Sequence, residues 1–163
     1  MKMLFETERC SINTLQKPDF DDVKQLFVNR EVRKFLGGIR EEDSIQVILE
    51  SSLNHAFCWV VREKHSGAFI GLVSLDLHHD GIYQEISYQF LPKWWGKGYA
   101  TEVVRVIVEY ALNELNLTKL IAETQIANEA SCKLLERVGM LLERTFNRFG
   151  AEQAIYSIKK RIE

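Results

Sequence analysis

The segment that decides the fold joins a strand pattern to a long helix pattern. It reads Pro92-Lys93-Trp94-Trp95-Gly96-Lys97-Gly98-Tyr99-Ala100-Thr101. Before it, residues 82–91 alternate mainly apolar with mainly polar positions, as a half-buried strand requires. After it, from about residue 99, apolar side chains recur at helical spacing. The segment is therefore predicted to be a glycine-rich turn between a strand and a helix.

Glycines at the start of a helix indicate an anion site. The first amides of a helix have no acceptor within it, and the helix dipole adds positive charge there. Gly96 and Gly98 let the backbone approach an oxyanion closely, and Lys97 adds a cation. We expect phosphate or pyrophosphate here. A Walker A loop does not match, and the Rossmann fingerprint matches only in part, because Thr101 stands in place of its third glycine or alanine.

A β-α-β unit is predicted around the turn. It consists of the strand at 82–91, the helix that follows the turn and a strand near 119–126. Its two strands should be parallel, with a right-handed crossover. Hairpins on either side make the sheet mixed. The sequence therefore predicts an α/β fold with a mixed, mostly antiparallel sheet and helices on both faces, as one domain over residues 1–163. The other predicted elements are strands near 8–15, 57–61, 69–73, 140–147 and 154–161, and helices from about 18, over 41–54 and over 129–138.

Composition excludes several classes of protein. With 163 residues, 46% apolar residues and a net charge of -2, the chain is not a disordered one. No apolar run is long enough for a membrane span or a signal peptide. The 21 basic residues are matched by 23 acidic ones, so we expect no nucleic-acid partner. Three scattered cysteines are typical of reduced thiols in the cytoplasm.

No metal site is expected from the sequence. His78 and His79 are adjacent, and on a strand their side chains would point to opposite faces, so they would not chelate one ion. We also expect Trp94 and Trp95 either to line a substrate pocket or to cover the end of the sheet. Cys132 is expected to be a buried structural thiol.

Two motifs resemble the GNAT superfamily of acetyl-CoA N-acetyltransferases. The glycine-rich turn is similar to the superfamily's Arg/Gln-x-x-Gly-x-Gly/Ala loop, with Gly98 and Ala100 at its last two positions and Trp95 in place of Arg or Gln. Trp at that position resembles the RimJ/RimL-like branch of ribosomal-protein N-acetyltransferases. The run 128–140 is similar to that branch's Asn-x-x-Ser helix, and Thr7-Glu8-Arg9 resembles its opening.

The resemblance implies a set of acetyl-CoA contacts. The backbone of Phe90 and Leu91 would contact the pantetheine and polarise the thioester carbonyl. Asn128 would contact the cofactor or tether the strands, or act as a plain helix N-cap. Lys133 would reach a phosphate or lie in solvent. The pyrophosphate would be held by the backbone amides of Gly96, Lys97, Gly98, Tyr99, Ala100 and Thr101.

Two catalytic residues follow from the same resemblance. Glu85, on the polar face of the strand, would be the general base for the acceptor ammonium, or else a salt-bridged strand residue. Many GNAT enzymes have a Tyr where this chain has Leu135, which cannot donate a proton. Ser131 lies on the inward stripe of its helix and becomes the candidate acid, or else caps its own backbone.

The expected activity is direct transfer of acetyl from acetyl-CoA to a primary amine, without an acyl-enzyme. The resemblance implies that the acceptor is a protein N-terminal amine. A small amine such as a polyamine, an amino-sugar or an antibiotic is the alternative, as is an inactive CoA-binding module or, in another class, an NAD-binding oxidoreductase. We expect a cytoplasmic enzyme, monomer or homodimer, with no membrane partner.

Overall fold

The computed structural model describes residues 4–161, which form an eight-stranded sheet in the order β1-β2-β3-β4-β5-β6-β8-β7. The strands are β1 (Leu4–Glu6), β2 (Cys10–Thr14), β3 (Cys58–Glu63), β4 (Phe69–Leu77), β5 (Gln84–Phe90), β6 (Lys119–Gln125), β7 (Leu141–Arg148) and β8 (Ala151–Lys159). The α-helices are α1 (Phe20–Phe27), α2 (Arg30–Arg33), α3 (Glu42–Leu53), α4 (Tyr99–Asn113) and α5 (Glu129–Arg137). The neighbours β1/β2, β2/β3, β3/β4, β6/β8 and β7/β8 are antiparallel. The predicted mixed, mostly antiparallel sheet is confirmed.

The predicted β-α-β unit is also confirmed. β5 and β6 pair in parallel, with Gln84 opposite Leu120 and Glu85 opposite Ile121, and α4 connects them along the chain. The apolar stripe read from the sequence is the buried side of α4, formed by Val103, Val104, Ile107 and Ala111. Burying a side chain of the size of Val or Ile contributes about 1.5–3 kcal/mol, so this stripe holds the helix in place.

The chain is described as two compact units. The first comprises the chain up to Ser74 together with Tyr88–Tyr99. Its core lies between the N-terminal helices and the strands: Leu15, Val23, Leu26, Phe27, Val32, Ile45, Leu49, Cys58, Val60 and Phe69. The predicted helix from Pro18 begins as a 3₁₀ turn, Lys17–Asp19, and continues as α1. The short strand β1 has no counterpart in the sequence prediction, because three residues are too few to show a period.

The second unit comprises Leu75–Ser87 and the chain from Ala100 onward. Within it β8 lies between β6 and β7 and pairs with both along nearly its whole length. α5 ends at Arg137, one residue before the predicted end, and its inner face carries Ser131, Leu134 and Leu135. Among the described residues no helix has the length and apolarity needed to cross a bilayer.

Candidate active site

The glycine-rich turn has the backbone that the sequence predicts. A 3₁₀ turn, Pro92–Trp94, follows β5, and α4 begins at Tyr99. Gly96 has φ +73° and Gly98 has φ +85°, a left-handed conformation that costs other residues about 1–2 kcal/mol. A side chain at Gly96 would meet no described atom within 4 Å. The start of α4 therefore has helix amides without internal acceptors beside open space, which is the geometry an oxyanion needs.

Both tryptophans of the turn tie it to the end of the sheet. The indole nitrogen of Trp94, which is buried, donates to the carbonyl of Phe69 at 3.0 Å. The indole nitrogen of Trp95 donates to the carbonyl of Phe90 at 2.7 Å, while 47% of the residue stays exposed. Of the two expectations for this pair, covering the end of the sheet matches these contacts. Trp95 thus anchors the loop at the position where the superfamily pattern has Arg or Gln.

Arg9 is a loop contact that sequence reasoning missed. Its Nη1 donates to the carbonyl of Lys97 at 3.0 Å, and its guanidinium lies 4.0 Å from the centre of the Tyr99 ring. A Cβ added at Gly98 would lie 3.3 Å from Nη2 of Arg9. The Tyr99 hydroxyl in turn donates to Glu63 at 3.1 Å. Arg9 therefore holds the turn in shape and brings a positive charge beside it; only the family-like opening at Thr7-Glu8-Arg9 pointed to it.

The end of β5 is held by backbone bonds on both sides. The amide of Leu91 donates to the carbonyl of Ile70 at 2.9 Å, and its carbonyl accepts from the amide of Trp94 at 3.0 Å. The amide of Leu91 is therefore already used inside the protein. Of the two residues expected to meet a pantetheine, Leu91 therefore does not offer a free amide to a thioester.

In the second unit, α5 presents the predicted motif residues in three different settings. Asn128 is the N-cap, and its side-chain oxygen accepts from the amide of Ser131 at 3.2 Å, which confirms the N-cap interpretation. Ser131 is 8% exposed, so the expectation that it faces inward is confirmed. Lys133 is exposed. Outside α5, Ala100 and Thr101 of the predicted pyrophosphate loop lie in the first turn of α4, and both are partly buried.

Glu85 is a partly buried carboxylic acid on β5. Its pKa is raised from 4.5 to about 7, chiefly by burial and also by the negative charges of Glu123 and Asp76, while His78 and the backbone amide of Glu123 act in the opposite direction. Desolvation penalises the ionised form of an acid, which explains the direction of the change. A carboxyl with this pKa takes up and releases protons near neutral pH, as a general base must.

His78 and His79 do not point to opposite faces, and the expectation that they would do so is wrong. β4 ends at Leu77, so the two histidines lie in the turn that follows rather than on the strand. The Nε2 atoms of His78 and His79 lie 2.7 and 2.9 Å from the same oxygen of Glu123. Arg148 lies 3.5 Å from the other oxygen of that carboxylate. The second unit therefore carries a compact cluster of charged and polar groups that also contains Glu85.

The acetyltransferase (GNAT) domain family matches residues 9–141. The chain belongs to the GNAT acetyltransferase family. This assignment covers the turn, α4 and α5 in one match, and it makes the protein an acetyl-CoA-dependent acyltransferase. In agreement, the chain is 27% identical over 148 residues to YnaD, an uncharacterised N-acetyltransferase of Bacillus subtilis (strain 168), covering 90% of this chain and 87% of YnaD.

Solved GNAT structures share the fold. A GNAT-family acetyltransferase from Bacillus anthracis has a TM-score of 0.87 at 23% identity, covering 96% of this chain and 98% of that one. Ribosomal-protein-S5-alanine acetyltransferase from Vibrio fischeri has a TM-score of 0.79 at 20% sequence identity, with 97% of each chain covered. Spermidine N-acetyltransferase from Vibrio cholerae, in complex with CoA and spermine, has a TM-score of 0.78 at 19% sequence identity. The match covers 93% of this chain and 95% of that one.

Among the described residues, two buried side chains with hydroxyl groups lie at α5. Besides Ser131, Tyr156 on β8 is buried, and its hydroxyl donates to Glu136 at 3.3 Å. Burial together with Cys132 and Glu136 raises the pKa of Tyr156 above its ordinary value, so this phenol keeps its proton. Sequence reasoning missed Tyr156, because it compared only position 135 with the family's Tyr. Cys132 itself is half-buried rather than fully buried.

Proposed function

We propose that this GNAT protein acetylates the α-amine at the N-terminus of a protein, in the manner of the RimJ/RimL-like branch. The observation that carries this choice is the charge balance around Glu85. The neighbouring carboxylate of Glu123 is contacted by the ring nitrogens of His78 and His79 and lies 3.5 Å from the guanidinium of Arg148. Within residues 4–161 no ion pair involves Glu85. Glu85 can therefore take the proton of one ammonium, whereas a polyamine presents several charges.

The proton affinity of Glu85 supports the same acceptor. An α-ammonium has a pKa of about 7.7–8.0, while a lysine-like ammonium lies near 10.4. With the pKa of Glu85 raised to about 7, taking a proton from an α-ammonium costs only about 1 kcal/mol, whereas taking it from a lysine-like amine costs about 5 kcal/mol. The site is therefore matched to an amine of low basicity.

The proposed transfer proceeds in a ternary complex. Glu85 accepts one proton of the ammonium, and the neutral nitrogen then forms a bond to the thioester carbonyl carbon. A second proton passes from the nitrogen to water as the carbon–sulfur bond breaks. Ser131 donates its hydroxyl proton to the departing sulfur and is reprotonated from solvent, while Glu85 releases its proton to solvent. The products are an N-acetyl group, free CoA thiol and one proton.

The cofactor contacts proposed for this reaction follow the local geometry. The left-handed glycines and the start of α4 support a pyrophosphate site formed by the amides of 96–101. Because the amide of Leu91 bonds to Ile70, we assign polarisation of the thioester carbonyl to the amide of Phe90, with Leu91 only adjoining the pantetheine. Asn128 and Lys133 are proposed to contact the cofactor from α5.

We further place the reaction in the cytoplasm, in a single catalytic domain over residues 1–163 that acts as a monomer or homodimer. The support for a reducing compartment is that three cysteines carry free thiols: Cys10, Cys58 and Cys132.

A direct competition of acceptors tests the proposal. Release of CoA thiol is measured with acetyl-CoA and, in turn, a short peptide with a free N-terminus, the same peptide with a blocked N-terminus and a lysine, spermidine, and glucosamine. The highest kcat/KM is expected for the free N-terminus, and it should fall in Glu85→Gln but not in Glu109→Gln, an exposed glutamate on α4. A higher kcat/KM for spermidine or glucosamine overturns the choice of acceptor, and tight CoA binding without turnover of any amine indicates an inactive module.

A further inference from the structure

Three side chains with metal-binding atoms converge after the end of β4. His78 and His79 each place Nε2 within 2.9 Å of one oxygen of Glu123. The centroids of the two imidazole rings lie 3.8 Å apart, and the ring planes are tilted relative to each other. The two nitrogens and the carboxylate oxygen all lie within 4.8 Å of one another. Two imidazoles and one carboxylate are a ligand set that Zn²⁺ takes in proteins.

The cluster is built as a pocket with one open side. The side chain of His78 is 0% exposed and that of Glu123 is 10% exposed, whereas the side chain of His79 is 41% exposed. Behind His78, the carboxylate of Asp80 lies 3.2 Å from Nδ1. A carboxylate on the far nitrogen of a histidine orients the ring and strengthens it as a ligand, which is the arrangement found behind metal-bound histidines. Arg148 lies 3.5 Å from the second oxygen of Glu123 and leaves the first one to the histidines.

We propose that His78, His79 and Glu123 form a binding site for a divalent transition-metal ion of the Zn²⁺ class. At Zn–N distances of about 2.0–2.1 Å, tetrahedral ligand atoms lie about 3.3 Å apart, so each distance from a histidine nitrogen to the Glu123 oxygen needs to open by only about half an ångström. The fourth position faces the exposed side at His79 and takes water. Mg²⁺ and Ca²⁺ prefer sets made of oxygen ligands and do not fit two imidazoles. The site uses none of the residues proposed for acetyl transfer as ligands, although His78 and Glu123 act on the pKa of Glu85.

Metal titration of the full chain tests the site directly. The protein is dialysed against a chelator, freed of it, and titrated with Zn²⁺ in a calorimeter and with Co²⁺ in a spectrophotometer, both without acetyl-CoA. One equivalent of Zn²⁺ should bind, and Co²⁺ should produce the intense visible absorption of a tetrahedral site. Absence of Zn²⁺ binding, or a weak octahedral Co²⁺ spectrum only, overturns the proposal. Since no acetylation is measured, the outcome is independent of the proposed function.

Matched variants locate the ion. His79→Ala removes the exposed ligand and should abolish the tetrahedral Co²⁺ spectrum, and Asp80→Asn should lower Zn²⁺ affinity by about 10–100-fold while keeping one equivalent. His65→Ala, in the exposed turn between β3 and β4, is the control and should leave affinity unchanged. Circular dichroism of each variant verifies folding. Unchanged affinity in His79→Ala, or a loss in His65→Ala as large as that in His79→Ala, places the ion elsewhere and refutes the site.

Discussion

Glu85→Gln should make the protein more stable above neutral pH while it removes the proposed base. Glutamine resembles the protonated carboxylic acid in shape and charge. The pKa of Glu85 is raised from 4.5 to about 7, so the folded state binds this proton more tightly than the unfolded chain does. The contribution of protonated Glu85 to the free energy of unfolding is fully present below about pH 4.5, and it is lost as the pH rises to about 7. The loss amounts to about 3 kcal/mol above pH 7, and Glu85→Gln should remove most of it.

The measurement is urea unfolding of chelator-treated protein at pH 5 and pH 8. Glu85→Gln should exceed the wild type in free energy of unfolding by about 3 kcal/mol at pH 8 and by much less at pH 5. Glu109→Gln, the exposed α4 control, should show no such pH-dependent difference. The groups that act on Glu85 are His78, Glu123 and Asp76, and the variant leaves all three in place.

Catalysis provides the second readout of the same substitution. Loss of a general base lowers kcat/KM by about 10²–10⁴-fold. The ratio of wild-type to Glu85→Gln kcat/KM on one peptide should be level below about pH 7 and fall above it, because the wild type deprotonates the ammonium whereas the variant acts only on amine that is already neutral. A stability difference that is the same at both pH values refutes the raised pKa. A ratio near one at every pH refutes the role of Glu85 as base.

Three further substitutions test the cofactor site and α5. Gly98→Glu should abolish acetyl-CoA binding in calorimetry, because it strains a residue at φ +85° and adds negative charge to the anion site; unchanged affinity would remove the loop from the mechanism. Asn128→Ala should lower the free energy of unfolding by about 0.5–2 kcal/mol through loss of the N-cap, and an unchanged melting temperature would contradict this. Ser131→Ala should lower kcat at unchanged acetyl-CoA affinity, and a loss seen only in Tyr156→Phe would transfer the acid role to the phenol.

Local pattern was enough for most of the architecture. The alternation at 82–91, the helical stripe after residue 99 and the helix ending before Gly139 predicted β5, α4 and α5 close to their observed bounds. These signals are local, since the period of side-chain burial follows from the geometry of a single strand or helix. The strand β1 was not predicted, because three residues are too few to show the alternation of buried and exposed side chains.

The histidine pair shows where local pattern fails. The prediction for His78 and His79 assumed that β4 continued through them, whereas the strand ends at Leu77. Their partner Glu123 is 45 residues away from His78 in sequence, and only the return of the chain through α4 and β6 brings it there. Arg9 and Lys97, 88 residues apart, met in the same way. Contacts over such separations leave no periodic signal in a single sequence.

The sequence by itself determined the β-α-β core and the glycine turn before α4, because the periodicity of strands and helices and the φ angles of glycine are local properties; the anion site at that turn stays a prediction. Tertiary structure alone decided that the amide of Leu91 donates a hydrogen bond to the carbonyl of Ile70. It also decided that the pKa of Glu85 is raised to about 7, chiefly by burial. The contact of two histidines with one oxygen of Glu123 likewise arises only in the folded chain. These depend on desolvation and on the meeting of distant strands. The pKa of a carboxyl rises to near neutral when folding removes water from it and brings like charges close to it.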